Sequence, residues 1–270
     1  MEKHFYRKGF ICIRHHSNSE FINKHKYFNK LFTCFDEYVD GKKYIKINYA
    51  HKFPKNIKKN FLEKKKLCVL INSKKLSKYT NENDLYSRRI EAIKWFEANH
   101  PDDFDLYGMG WDKFIFSGPK IIKSLNLIPF LPIFFAKLLG QTFSSYKGVV
   151  ENKKLLMEKY RFSICYENTK NIPGYITEKI FDSFFAGCVP IYWGANNILD
   201  YIPKDCFIDK RDFQTYEDLY EFIKNITEPE YLNYLENIEN YLKSDAAFQF
   251  KSESFVKTMI ENILLEKIVN

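Results

Sequence analysis

Thr177, Glu178 and Lys179 open an apolar helical run, ten residues after Glu167-Asn168 closes a strand-like one. The grouping suits anion chemistry. A Thr at the N-cap offers its hydroxyl to a backbone N–H two or three residues on. A helix N-terminus also presents free N–H groups and about half a positive charge. Lys179 in the first turn has the wrong sign for that dipole, unless an anion sits there too. In open α/β sheets ligands bind beyond the carboxyl ends of the strands. The ends of "RFSICYEN" and "VPIYWG", at Asn168 and Gly194, therefore fall on one ligand-binding edge. Ile180, Phe181, Phe184 and Phe185 lie at helical spacing and read as core, Gly187 as a C-cap, and Pro190 and Trp193 as packing.

Alternating strands and helices must position these groups. "LCVLIN" reads as a buried strand, followed by a helix in "NENDLYSRRIEAIKWFEANHP" that starts near an Asn or Asp cap and stops at His100-Pro101. "DFDLYG" is a short strand closed by Gly108. A helix over Asn152 to Tyr160 precedes a strand from Arg161 to Tyr166. Beyond the helix of Thr177 to Ala186 come the strand "CVPIYWG", a short helix "NNILDYI", the strand "CFID" and two amphipathic helices. This alternation predicts a parallel sheet covered on both faces. The first sixty residues are polar, aromatic and basic, with strand candidates "FICIR" and "KYIKINYA". Residues 51–66, "HKFPKNIKKNFLEKKK", read as a linker or an exposed helix.

Composition narrows the function classes. The 270 residues carry a net charge of +8, and only six of 42 basic residues are Arg. A lysine-rich surface attracts anions generally. A nucleic-acid binder is disfavoured because the aromatics follow core periodicity rather than a basic stripe. Six cysteines show no CxxC spacing, and Cys68, Cys165 and Cys188 fall in apolar runs as small buried hydrophobes. The N-terminus lacks the apolar core of a signal peptide. The longest apolar run, Leu125 to Leu139, is broken by Pro129 and Pro132 and falls short of the ~20 residues that span a bilayer. A cytoplasmic location follows as the expectation, with peripheral contact at the inner membrane face as one role for that run and an inter-element connection as the other. "DFD", Asp103 to Asp105, has the look of a DxD metal motif but is read as a decoy. His15-His16 has no spaced partner.

The segment "RFSICYENTKNIPGYITEKIFDSFFAGCVPIYWGA" closely resembles the donor-binding motif of glycosyltransferase family 10, the α1,3/α1,4-fucosyltransferases. The family pattern runs (F/Y)-E-N, a short loop, Y-(V/I)-T-E-K, a helix, then P-(I/V)-Y-W-G, and every part is present. The likeness extends over roughly residues 65 to 245. It implies an α/β, GT-B-like fold: a Rossmann-like donor domain with a parallel sheet, plus a reduced or truncated N-terminal acceptor domain. The expected division is 1–62 for the acceptor side, 63–245 for the donor domain and 246–270 for a C-terminal helix. The implied reaction is inverting transfer of fucose from GDP-fucose to a hydroxyl of a GlcNAc- or galactose-containing glycan such as lipopolysaccharide O-antigen. Asn168, Tyr175, Glu178 and Lys179 are implied to contact the donor, Lys179 on the diphosphate and Glu178 on the ribose or fucose. The family's diphosphate arginine maps to Arg89 rather than Arg88, by distance to the following apolar positions. Its catalytic base, placed upstream of a Phe-Asp pair matched by Phe35-Asp36, maps to Glu20. No cofactor or metal is tightly bound on this reading, and a divalent cation is at most stimulatory. A non-catalytic GDP-sugar-binding module is the alternative, since barely sixty residues precede "LCVLIN".

Overall fold

The structure is a computed structural model that describes residues 10–13, 25–75 and 82–269, with side chains throughout except at 10–13 and 264–269. Its main sheet has five parallel strands in the order β5-β4-β6-β7-β8. These are β4 (Lys66–Ile71), β5 (Phe104–Tyr107), β6 (Tyr160–Tyr166), β7 (Val189–Trp193) and β8 (Ile208–Asp209). Parallel neighbours need crossovers, and the crossovers cover both faces of the sheet, so the strands read as continuous apolar runs. Cys68, Val69, Leu70, Phe162 and Ile191 are fully buried or nearly so. The cysteines of the three strand-like runs are buried free thiols, as their apolar setting predicts.

The first crossover helix, α1 (Tyr86–Asn99), buries Arg89, Ala92, Ile93 and Phe96, an i, i+3, i+4, i+7 stripe. One member of that stripe is charged. The Asp84 carboxylate accepts from the backbone N–H groups of Tyr86 and Ser87 at 3.3 and 3.0 Å and starts the helix; Pro101 stops it. Two short helices follow, α2 (Lys120–Ser124) and α3 (Leu131–Leu138), then α4 (Lys153–Met157), shorter than the predicted span. Helix α5 (Glu178–Phe185) joins β6 to β7. Helices α6 (Tyr216–Asn225) and α7 (Glu228–Lys243) each begin with a capping box, Thr215 with Asp218 and Thr227 with Glu230. The predicted helix "NNILDYI" is only a 3-10 turn at Ile198–Asp200.

A second, smaller sheet is also parallel, in the order β1 (Phe10–Ile13), β2 (Lys30–Thr33), β3 (Tyr44–Lys46). The last helix, α8 (Ser252–Val269), returns to it: Phe255 and Met259 pack on Phe32, Ile45 and Ile47. Residues 51–66 form neither an exposed helix nor a free linker. They are a strap laid over the five-stranded domain. The His51 ring stacks on Phe181 at 4.5 Å, Phe53 packs on Phe181 and Phe185, and the Arg161 guanidinium lies 3.8 Å over the Phe61 ring. Lys64 is buried, donating to the carbonyls of Glu158 and Tyr160 at 3.0 and 3.1 Å, and burial lowers its pKa. The charged composition misled because the remaining lysines reach out to pair, Lys58 with Glu158 and Lys59 with Glu236 and Glu239, while their backbone stays on the core.

Candidate active site

Glu167 is the hub of the carboxyl edge. It leaves the end of β6 with a fully buried side chain. One carboxylate oxygen accepts from the Thr177 backbone N–H at 2.8 Å. The other accepts from the Thr177 hydroxyl at 2.7 Å and from Lys179 Nζ at 2.8 Å. Lys179 also donates to Thr177 Oγ1 at 2.8 Å. A buried carboxylate persists only when paired and hydrogen-bonded, and here an ammonium and two neutral donors meet that demand. Gly194, at the end of β7, makes room for this arrangement: a Cβ there would lie 2.6 Å from Glu167 Cγ and overlap the Tyr192 hydroxyl.

This arrangement corrects the expected capping. Thr177 takes the N-cap position, but its side chain makes no cap hydrogen bond, because its hydroxyl is committed to Glu167 and Lys179. The mouth of α5 is thus left without a side-chain cap, as an anion-binding helix end requires. The apparently misplaced charge of Lys179 has its explanation too. The anion beside it is the protein's own Glu167.

Arg89 approaches the same residue from the other side. It is 2% exposed, and its Nη2 donates to the carbonyls of Tyr166 and Glu167 at 2.8 and 2.6 Å and to Asn168 Oδ1 at 3.0 Å. Its Nε is buried without a partner among the described residues. Desolvation lowers the guanidinium pKa against the pull of Glu167, yet an arginine stays protonated. Arg88 points outward to Glu91 at 2.8 Å. The helix stripe therefore separates the two arginines, and Arg89 is the one at the strand end.

From Asn168 the network continues across the edge. Asn168 Nδ2 donates to the Tyr175 hydroxyl at 3.2 Å, and burial raises the Tyr175 pKa. The Tyr175 ring packs on Phe35 with centroids 5.7 Å apart. Phe35 and Asp36 follow the carboxyl end of β2, so the carboxyl ends of the two parallel sheets meet here. Asp36 is the joint. Its carboxylate accepts from Lys46 at 2.6 Å, Tyr201 at 2.7 Å and Asn197 at 2.9 Å, and Asn197 Oδ1 accepts the Gly174 N–H at 2.9 Å. Gly174 has φ 76, and a Cβ there would overlap the Cys34 carbonyl; only glycine fits.

Burial alone would raise the Asp36 pKa, but Lys46, Tyr201 and Asn197 outweigh it and hold it below the ordinary 3.8. A carboxylate with a depressed folded pKa adds stability above its unfolded pKa and loses it as pH falls through the folded one. Asp36→Asn is expected to melt below the wild type at pH 7, with the gap closing as pH drops through 3.8 and below. Thermal melts across a pH series check this; a gap independent of pH would mean the Asp36 charge adds nothing.

Of the residues expected at the site, Arg89, Asn168, Tyr175, Glu178 and Lys179 come together around Glu167. Glu178 is the half-exposed one, 3.7 Å from Lys179; partial desolvation pushes its pKa up, but Lys179 and the Glu178 backbone N–H outweigh this and lower it. Glu20 lies outside the described residues, as do His15 and His16. The DFD carboxylates are committed elsewhere: Asp103 accepts from Tyr220 at 2.8 Å and Lys224 at 2.6 Å, Asp105 from Tyr160 at 2.6 Å. Among the described residues no three His, Cys, Asp or Glu side chains converge as a metal-ligand set. Asn197 and Tyr201 escaped the sequence reading, which named Glu167 at the strand end and Asp36 in the Phe-Asp pair but gave neither a partner. For Glu167 the signal was present, an acidic residue directly after an apolar strand and before a charged helix mouth.

A Rossmann-like five-stranded domain whose carboxyl edge meets that of a smaller parallel sheet is a GT-B-like arrangement. Solved structures carry the same fold. An α1,3-fucosyltransferase solved with GDP-fucose superposes with a TM-score of 0.58 at 17% identity, covering 94% of this chain and 74% of that one. Residues 132–261 match the family model described as glycosyltransferase family 10 (fucosyltransferase) C-term. The chain is 32% identical over 203 residues to the α-(1,3)-fucosyltransferase FucT of Helicobacter pylori, a match over 67% of this chain and 41% of that protein. It is 37% identical over 70 residues to an α-(1,4)-fucosyltransferase of Arabidopsis thaliana, covering 26% of this chain and 17% of the relative. The chain belongs to glycosyltransferase family 10. It spans less than half the length of these curated relatives.

Proposed function

We propose that this chain binds GDP-fucose at the Glu167 edge and transfers fucose, with inversion, to a hydroxyl of a GlcNAc- or galactose-containing glycan, as in a lipopolysaccharide O-antigen. The observation that carries the reading is the convergence of Arg89, Asn168, Tyr175, Glu178 and Lys179 at one strand end in a family 10 chain. In this reading the open mouth of α5 and Lys179 take the diphosphate, and Arg89 fixes the strand end that presents it. Breaking the sugar–phosphate bond leaves charge on the departing GDP, which these donors stabilise. The half-exposed Glu178 carboxylate faces the positive charge that develops on the sugar. The acceptor hydroxyl gives its proton to a base on the opposite face, assigned through the family resemblance to Glu20.

A second reading rests on one specific observation, the match to only 41% of the Helicobacter protein. On that reading the chain is a GDP-sugar-binding module without turnover. One experiment addresses both. Thermal shifts with GDP, GDP-fucose, GDP-mannose and UDP-sugars are expected to single out the GDP compounds, and a transfer and hydrolysis assay on the same sample is expected to show turnover. Glu20→Gln is expected to keep the GDP shift and lose the turnover. Binding without turnover establishes the module; equal shifts with UDP-sugars defeat both readings.

A further inference from the structure

The connection from β5 to α4 folds into a small hairpin whose outer surface is apolar. Helix α2 and the 3-10 turn Leu125–Leu127 form one arm and α3 the other, and the arms meet at 99°. Its base is built. Phe114, Phe116 and Phe135 pack edge to face or tilted, the Phe114 N–H donates to the Pro132 carbonyl at 2.8 Å, and the Asn126 side chain bonds both the N–H and the carbonyl of Phe116 at 3.0 and 2.8 Å. Among the described residues nothing covers its rim. Ile121 and Leu127 are each 83% exposed, Phe130 80%, Leu138 65% and Phe134 59%. Five large apolar side chains exposed on one short connection mark an interaction site.

The charge pattern selects the partner. From Lys113 to Val150 there are five lysines, Lys113, Lys120, Lys123, Lys137 and Lys147, and no Asp or Glu. A second copy of the same face would bring lysines against lysines, which opposes self-pairing. An anionic lipid surface accepts both the apolar rim and the lysines. Length decides the mode of contact. Arms of eight residues extend about 12 Å, too short to cross the ~30 Å hydrocarbon core, but matched to burial of about 5–10 Å at the headgroup boundary. We propose that the hairpin of residues 117–140 docks the protein on an anionic phospholipid surface, inserting Leu127, Phe130 and Phe134 among the lipids while Lys120, Lys123 and Lys137 contact the headgroups. The connection leaves the sheet at the carboxyl end of β5, the same edge as Glu167, so docking holds the candidate site near the surface where a lipid-borne acceptor is presented.

Cosedimentation of the full chain with phosphatidylcholine vesicles, with and without phosphatidylglycerol, tests this. The chain is expected to pellet with the anionic vesicles, less so as salt is raised. The triple variant Leu127→Ser, Phe130→Ser, Phe134→Ser is expected to weaken binding by about a hundredfold, with an unchanged melting temperature and an unchanged response to GDP. Lys120→Gln, Lys123→Gln and Lys137→Gln are each expected to weaken anionic-vesicle binding by about fivefold. A wild type that stays in the supernatant with both vesicle types overturns the proposal, as does a triple variant that pellets like the wild type. A dimer in ultracentrifugation that the triple variant dissociates, without vesicle binding by the wild type, makes a second copy the occupant and also overturns it.

Discussion

Lys179→Met is expected to lower the melting temperature by roughly 10 °C and to abolish the thermal response to GDP. The stability loss follows from Glu167. With the ammonium gone, a carboxylate sealed from solvent retains only the Thr177 N–H and hydroxyl, and breaking a buried ion pair from one side costs about 3–5 kcal/mol. At about 2–4 °C per kcal/mol for a chain of this size, that is the expected shift. The loss of GDP response follows from the mouth of α5, where Lys179 supplies the only full positive charge in the first turn. The two effects separate in the double variant Lys179→Met, Glu167→Gln. It carries no unpaired charge, so most of the stability returns. The GDP response does not, because the cation is still missing. Calorimetry of wild type, both singles and the double closes the cycle. If Lys179→Met keeps its GDP affinity, Lys179 serves only to neutralise Glu167, and the proposed donor contact is withdrawn.

Arg89→Ala is expected to reduce kcat/KM by about 10²–10³ and to destabilise the chain by about 3 kcal/mol. A single nitrogen, Nη2, ties together two main-chain carbonyls and the Asn168 amide. Its removal leaves buried acceptors short of a donor and frees Asn168, through which Tyr175 and the small sheet are held. Arg89→Lys tests the geometry, because a lysine restores the charge without the planar fork. Stability is expected to recover in part and turnover to stay low. Full turnover in Arg89→Lys would show that charge alone matters and that the fork positions nothing. The pair also distinguishes positioning from direct contact: a positioning residue moves kcat with the pH profile unchanged, whereas loss of a diphosphate contact raises KM for the donor as well.

The order of strands and helices from Lys66 onward was legible in the chain because each element announces itself locally. "LCVLI" and "VPIYW" are continuous apolar runs, "RRIEAIKWF" carries a helical stripe, and His100-Pro101 marks its end. Local patterns fail where a partner is distant. Residues 51–66 looked solvated because lysine composition hides which side of the backbone meets α5 and α7. Thr177 looked like a cap because N-cap preference is a local rule, and the neighbour that took its hydroxyl comes from the previous strand.

The sequence by itself determined that residues 166–194 form strand, polar loop, helix mouth and strand, and that the family's arginine maps to Arg89 rather than Arg88. It also determined that Asn168, Tyr175, Glu178 and Lys179 occupy the matching places of a family 10 motif. Only the tertiary structure decided how their charges are balanced. Glu167 neutralises Lys179, Arg89 spends Nη2 on the strand end, and Asp36 ties the loop to the second sheet. The reason is physical. Propensity and periodicity act over one or two turns of chain, whereas the pairing of a buried charge is set by whichever groups folding brings within about 3 Å.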